Sequence, residues 1–196
     1  ILPRGLEARI RGIQVHNEPV ESAFSGQRTA LNLSGVRKED IQRGDVVCTE
    51  DFSEASDNID VSLKVLSSFP RMLEHWTRVR FYVGTKEAFC RTVLLTDEAL
   101  FPGDVGRIQL RFETPVLTFR GDRFIIRDFS AQHTIGGGSV LNPFAMRHKR
   151  FTQETARTLS RWERADEYEV IHLILDESEK LSLPENLLRY YLPKND

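Results

Sequence analysis

The sequence predicts a mainly β protein that ends in helices. One observation is a period of two in the apolar residues, recurring through the first two-thirds of the chain. Another is the switch to helical spacing with capping signals after Asn142-Pro143. Turn chemistry at Ser25-Gly26, Gly44-Asp45, Pro102-Gly103-Asp104 and Gly121-Asp122 separates the apolar runs. Short strands at this spacing, almost without intervening helices, point to barrels or sandwiches and not to a parallel α/β sheet.

Taken in order, Leu6, Ala8 and Ile10 alternate with Glu7, Arg9 and Arg11, which predicts a half-buried strand. Leu31 and Leu33 repeat the pattern. Between Asp51 and Asp60 the chain carries four acids and two serines with scattered apolar residues, a linker-like composition. Alternation returns at Val79, Phe81 and Val83, opposed by Arg80 and Tyr82. It is cleanest at Ile108, Leu110 and Phe112 against Arg107, Gln109 and Arg111, and Phe124-Ile125-Ile126 closes the series. Thr152 is placed to cap a helix through Trp162. Asp166-x-x-Glu169 and Ser182-x-x-Glu185, the latter with Pro184, read as two further capping boxes. These signals divide the chain into a short β unit (1–50), a linker (51–58), a longer β unit (59–144) and a helical segment (145–196).

Composition removes several classes. Lys and Arg number 27 against 29 Asp and Glu, so the chain is not a globally basic nucleic-acid binder, although a local basic face remains open. The two cysteines, Cys48 and Cys90, form no zinc spacing and suit a reducing compartment. No apolar run approaches the roughly 20 residues that span a bilayer, and the first residues do not read as a signal peptide. The five histidines make no metal-binding pair, and no G-x-x-x-x-G-K-[ST] motif is present to cradle a nucleotide. Gly136-Gly137-Gly138 reads as a flexible turn where backbones approach closely. Nothing reads as an active site. What remains is arginine: Arg107 and Arg111 flank Gln109 on one strand face, with Arg78, Arg80, Arg120, Arg123 and Arg127 near other strands or turns. Arg147-His148-Lys149-Arg150 forms a basic run at the helical junction. Singly these are expected to be ordinary surface residues; grouped on one face, they would attract phosphates.

Two stretches resemble a known family. Pro102-Gly103-Asp104, Arg107-Ile108-Gln109-Leu110, Thr114-Pro115-Val116, Gly121 to Arg127 and Thr134 to Leu141 resemble the third domain of EF-Tu-like translational GTPases, in particular the selenocysteine-specific (SelB) group. Ser25 to Gly35, followed by Ile41 to Val47, resembles the later half of domain II in the same group. The resemblance covers about residues 4–144, and more weakly the helical end, whose layout is similar to the approach to the SelB winged-helix array. It implies two EF-Tu-like β-barrels, domain II being incomplete, followed by the opening of a winged-helix region. About 50 residues fall short of a six-stranded barrel, so this unit is expected to leave strand edges for another piece or copy to pair, or to be loosely held.

The resemblance further implies a non-catalytic, tRNA-binding part of a cytoplasmic translation factor. GTP and Mg would belong to the parent protein and no cofactor to this segment. The implied partners are selenocysteinyl-tRNA, the ribosome and, through further winged helices, the mRNA hairpin that recodes UGA; no membrane is involved. Aligned through Gly26, Arg28 falls where ordinary elongation factors carry an Asn in the aminoacyl pocket, and His16 where many carry His or Phe. A selenol is acidic enough to be largely an anion at neutral pH. A cation in a partly desolvated pocket therefore favours it over neutral serine. In domain III, His133, Thr134, Arg107 and Arg111 fall near the expected tRNA contacts. The alternatives are another EF-Tu-like factor delivering a different tRNA, or a β-barrel protein-interaction module.

Overall fold

The computed structural model describes residues 1–49, 52, 54–177 and 185–192. The first β unit is a three-stranded antiparallel sheet ordered β2-β1-β3, from β1 (Arg9–Val15), β2 (Glu18–Val20) and β3 (Thr29–Ser34). The second is a closed barrel of β4 (Ser56–Val65), β6 (Arg78–Val83), β7 (Lys86–Leu94), β9 (Val105–Val116), β10 (Arg123–Asp128) and β11 (Thr134–Asn142). Short strands β5 (Leu73–Glu74) and β8 (Ala99–Leu100) pair beside it. Helices α1 (Gln153–Arg164), α2 (Glu167–Glu177) and α3 (Glu185–Leu188) follow. The predicted class, mainly β with a closed barrel and a helical end, is the observed one, and the first unit is an open three-stranded sheet.

Alternation fills the barrel. Ile59, Val61, Leu63 and Val65 of β4 point inward with Val79, Phe81, Ile108, Leu110, Phe124 and Ile126, all buried. Phe81 anchors the centre: Phe112 meets it edge-on at 4.9 Å and Phe124 stacks on it at 5.3 Å. Closure leaves this barrel without a free edge.

Three sequence readings need correction. The first strand runs from Arg9, not over 6–10, and Ile10 is exposed; a register shift between Ile10 and Gly12 swaps the faces, so that Val15 becomes the buried member. Gly136–Gly138 form no turn but lie inside β11, paired on both sides. The close approach expected there is real: a Cβ on Gly138 would run into the Ser62 carbonyl, and one on Gly136 into that of Lys64. Gln109, read as solvent-facing, is fully buried, because the chain after the barrel lies across the outside of β4 and β9.

That covering is held by a buried polar network. Asp60, with no exposed surface, accepts from the Gln109 amide at 3.1 Å and meets His148 Nε2 at 2.7 Å; Gln109 also donates to the Met146 carbonyl at 2.8 Å. Further along, Asn142 donates to Glu177 at 3.0 Å and accepts from the Tyr191 hydroxyl at 3.0 Å, while Trp162 Nε1 donates to Glu177 at 2.6 Å. Around these bonds Trp162, Val170, Leu173, Ile174, Tyr190 and Tyr191 pack with Leu117 and Leu141 of the barrel and Leu2 of the first unit. Burial opposes charge on His148, but the hydrogen bond and charge of Asp60 outweigh it and raise its pKa. Burial likewise pushes the Asp60 and Glu177 carboxyls up.

The helices start as predicted where their caps are described. Thr152 accepts from the Thr155 N–H, and α1 continues two residues past Trp162, to Arg164. Asp166 accepts from the Glu169 N–H at 2.8 Å, but the Glu169 side chain turns to Arg161 instead of closing the box. The Ser182 cap and Pro184 lie outside the described residues.

Candidate nucleic-acid interface

Register places three arginines in one rung across the outside of the barrel: Arg78 opposite Arg91, and Arg91 opposite Arg111. Sequence alone shows Arg78 and Arg111 but not their alignment, which β7 creates. Like charges directly opposite destabilise a sheet unless something neutralises them. Arg78 is neutralised: it donates to both oxygens of Glu113, at 2.6 and 2.7 Å, and lies over the rings of Phe129 (4.4 Å) and Phe89 (5.0 Å). Arg80 pairs with Glu87 and donates to the Phe129 carbonyl. Those bonds raise the pKa of each guanidinium. Arg91 donates to the Trp76 carbonyl at 3.1 Å and Arg111 to the Gln109 side-chain oxygen at 2.9 Å, and neither has an ion pair with a carboxylate among the described residues. Burial and then the charge of Arg147 depress the Arg111 pKa.

The residues singled out in the sequence are arranged unevenly. Arg111 belongs to this rung. Arg107 instead pairs with Glu163 of α1 at 2.6 Å, helping to dock the helix on the barrel. His133 contacts Asp128 at 3.0 Å and Thr134 begins β11, half-buried. Burial works against the Asp128 charge, but hydrogen bonds from His133, Gln132 and Ser130 hold that carboxyl at about 2. His16 and Arg28 lie in the other β unit. His16 and Asn17 both take left-handed backbone in the turn between β1 and β2. Because Val15 pairs with Thr29, His16 and Arg28 come to the same end of the β1–β3 pair, both exposed.

Several other basic residues are structural. Arg120 donates to the carbonyls of Ala165 (2.6 Å) and Trp162 (3.4 Å), capping the end of α1. Arg150 donates to the Leu94 carbonyl and His148 holds Asp60, so the basic run splits: these two fasten the junction, while Arg147 stays exposed beside Arg111. Sequence reasoning missed Asp60, Trp76 and Arg91. The first was hidden in the acidic stretch, Trp76 lies in the turn between β5 and β6, and Arg91 lies on a strand whose register only the fold reveals.

No group of three or more His, Cys, Asp or Glu among the described residues is arranged to hold a metal ion. No helix among the described residues is long and apolar enough to cross a membrane.

Residues 57–147 match the family model described as the selenocysteine-specific elongation factor, beta-barrel domain. A curated relative, the selenocysteine-specific elongation factor of Desulfomicrobium baculatum, is 37% identical over 161 residues, covering 81% of this chain and 25% of that protein. The Escherichia coli (strain K12) factor of the same name is 32% identical over 138 residues, 69% of this chain and 20% of that protein. Elongation factor 1-alpha of Archaeoglobus fulgidus is 28% identical over 166 residues, 71% of this chain and 37% of that protein. The chain thus spans about a quarter or less of the two selenocysteine factors. The fold is similar to a crystal structure of a bacterial selenocysteine-specific elongation factor, EF-Sec, with a TM-score of 0.71 at 22% identity, over 88% of this chain and 27% of that one. Residues 57–147 thus belong to the beta-barrel domain family of selenocysteine-specific elongation factors.

Proposed function

We propose that this chain supplies the tRNA-facing part of a cytoplasmic selenocysteine-specific elongation factor, binding selenocysteinyl-tRNA for delivery to the ribosome at recoded UGA codons. The match of the barrel to this family carries the reading. Residues 1–50 act as a partial domain II, 51–58 as the linker, 59–144 as domain III, and 145–196 as the lead into winged helices that engage the mRNA hairpin. Binding, not bond chemistry, is the contribution of these residues. GTP and Mg belong elsewhere in the factor: this sequence has no phosphate-loop motif, and the one glycine run has its backbone pressed between strands, leaving no cradle.

Arg28 is the selectivity residue in this reading, with His16 beside it at the end of the β1–β3 pair. The exposed guanidinium is free to meet a selenolate once an aminoacyl end lies against it. Arg107, Arg111, His133 and Thr134 are assigned to the acceptor arm and T stem. For Arg107 this requires exchange of its Glu163 ion pair for phosphate.

A gel-shift assay on the full-length factor tests the reading. Selenocysteine tRNA is expected to shift at concentrations where elongator tRNA does not. Equal shifts with both would favour a general EF-Tu-like carrier, the reading to which the elongation factor 1-alpha similarity lends weight. No shift with either would leave the barrel as a protein-interaction module.

A further inference from the structure

A cleft of about 230 Å³ opens beside the arginine rung, lined by Trp76, Arg91, Arg111, Phe112, Glu113 and Arg147. Trp76 is 46% exposed, and its backbone is left-handed at φ 64°. A bulky residue rarely adopts that conformation, and such strain gathers at ligand sites. Here two hydrogen bonds enforce it: the Trp76 N–H donates to the Thr92 carbonyl at 2.7 Å, and Arg91 donates to the Trp76 carbonyl at 3.1 Å. The fold therefore spends strain to hold a large ring partly in water, with the Arg91 and Arg111 guanidiniums at 5.5 and 5.9 Å from its centre.

The charge around the ring is one-sided. Arg91 and Arg111 are directly opposed in the sheet, and neither they nor Arg147 has an ion pair with a carboxylate among the described residues. Glu113, the one acid in the lining, gives both oxygens to Arg78. The same field reaches His75: burial lowers its pKa, and Arg150 and Arg111 lower it further. A flat aromatic surface ringed by unpaired guanidiniums matches a ligand that combines a planar ring with phosphate.

We propose that this cleft takes one unstacked nucleotide of a single-stranded or bulged RNA segment, its base on the Trp76 ring and its flanking phosphates on Arg91, Arg111 and Arg147. The site needs no aminoacyl group and goes beyond the tRNA selectivity assigned to Arg28. Stacking tolerates any base, so affinity follows the exposed π-face and the backbone charge, not one sequence.

The chain reports on this site directly. It has two tryptophans, and Trp162 is fully buried, so quenching of the exposed fluorophore reads the cleft. Titration of the 196-residue chain with a mixed-sequence RNA hexanucleotide is expected to quench emission saturably, whereas inorganic polyphosphate should compete without quenching. Three phosphate contacts set a log–log salt slope of about −2. Measured by anisotropy of a labelled hexanucleotide, Trp76→Ala should weaken binding about tenfold or more, with Trp76→Phe staying within about threefold. Arg147→Ala, at an exposed position on the cleft, should shallow the salt slope by about 0.7. Absence of saturable quenching, or a Trp76→Ala chain that binds the hexanucleotide like the parent, would overturn the proposal. Loss of tRNA discrimination in the full-length factor with quenching intact would remove the selectivity reading and leave this site standing; the converse would remove the site alone.

Discussion

Asp60→Ala is expected to destabilise the docked helical end by about 3–5 kcal/mol. The carboxylate is completely buried between barrel and tail, where it accepts from Gln109 and His148. Its removal strands a half-buried imidazole and a buried amide. The cost comes from these unpaired partners more than from the lost attraction. Chemical denaturation of the parent, Asp60→Ala, His148→Ala and the double variant would measure the coupling; the double variant should be less destabilised than the sum of the singles. Additive losses would show that the pair is not a unit.

The same network sets a pH dependence. His148 is protonated more readily in the folded chain than its ordinary pKa of about 6.5 implies. Its stabilisation is therefore complete below that value and lost as pH rises through the elevated one. Asp60 and Glu177 hold protons more tightly folded than unfolded, which also makes stability fall with rising pH above the ordinary carboxylate range. Asp128, held at about 2, acts in the opposite sense only under strong acid. The melting temperature should therefore fall from mildly acid to alkaline pH, with a shallower dependence in His148→Ala.

The second large effect is Trp162→Ala, expected to cost about 3–5 kcal/mol. This ring is fully buried, stacks on Tyr191 at 5.5 Å and donates to Glu177 at 2.6 Å. Truncation opens a cavity and leaves Glu177, already pushed up by burial, without its indole donor. Because the barrel core around Phe81 is a separate cluster, protease cleavage should appear first within α1 and α2 while the barrel stays resistant. Simultaneous loss of both would show that helices and barrel form one cooperative unit.

Where one face of a strand packed inward and the other met water, the sequence was legible. Thus β6, β9 and β10 announced themselves through Val79-Phe81, Ile108-Leu110-Phe112 and Phe124-Ile126. β4 did not, because its start is polar: Asn58 is buried within the strand and Asp60 is buried against the tail. β7 was hidden by Ala88, Cys90 and Thr92, small or polar residues that are nevertheless buried. In β11, glycines replaced the side chains that reveal alternation, since the neighbouring backbones leave no room for a Cβ. The arginine-rich face was visible as composition. Which guanidiniums are neutralised and which stay unpaired depends on register across β6, β7 and β9, a non-local property that no short window contains.

Arg28 bears the central claim, that this chain helps a selenocysteine factor choose its aminoacyl-tRNA by charge. The direct measurement is the affinity of the full-length factor and its Arg28→Ala variant for selenocysteinyl-tRNA and for the same tRNA charged with serine. A lost charge-assisted contact predicts about a tenfold to hundredfold weaker selenocysteinyl complex, with seryl-tRNA binding nearly unchanged. Equal losses for the two aminoacyl forms would contradict it.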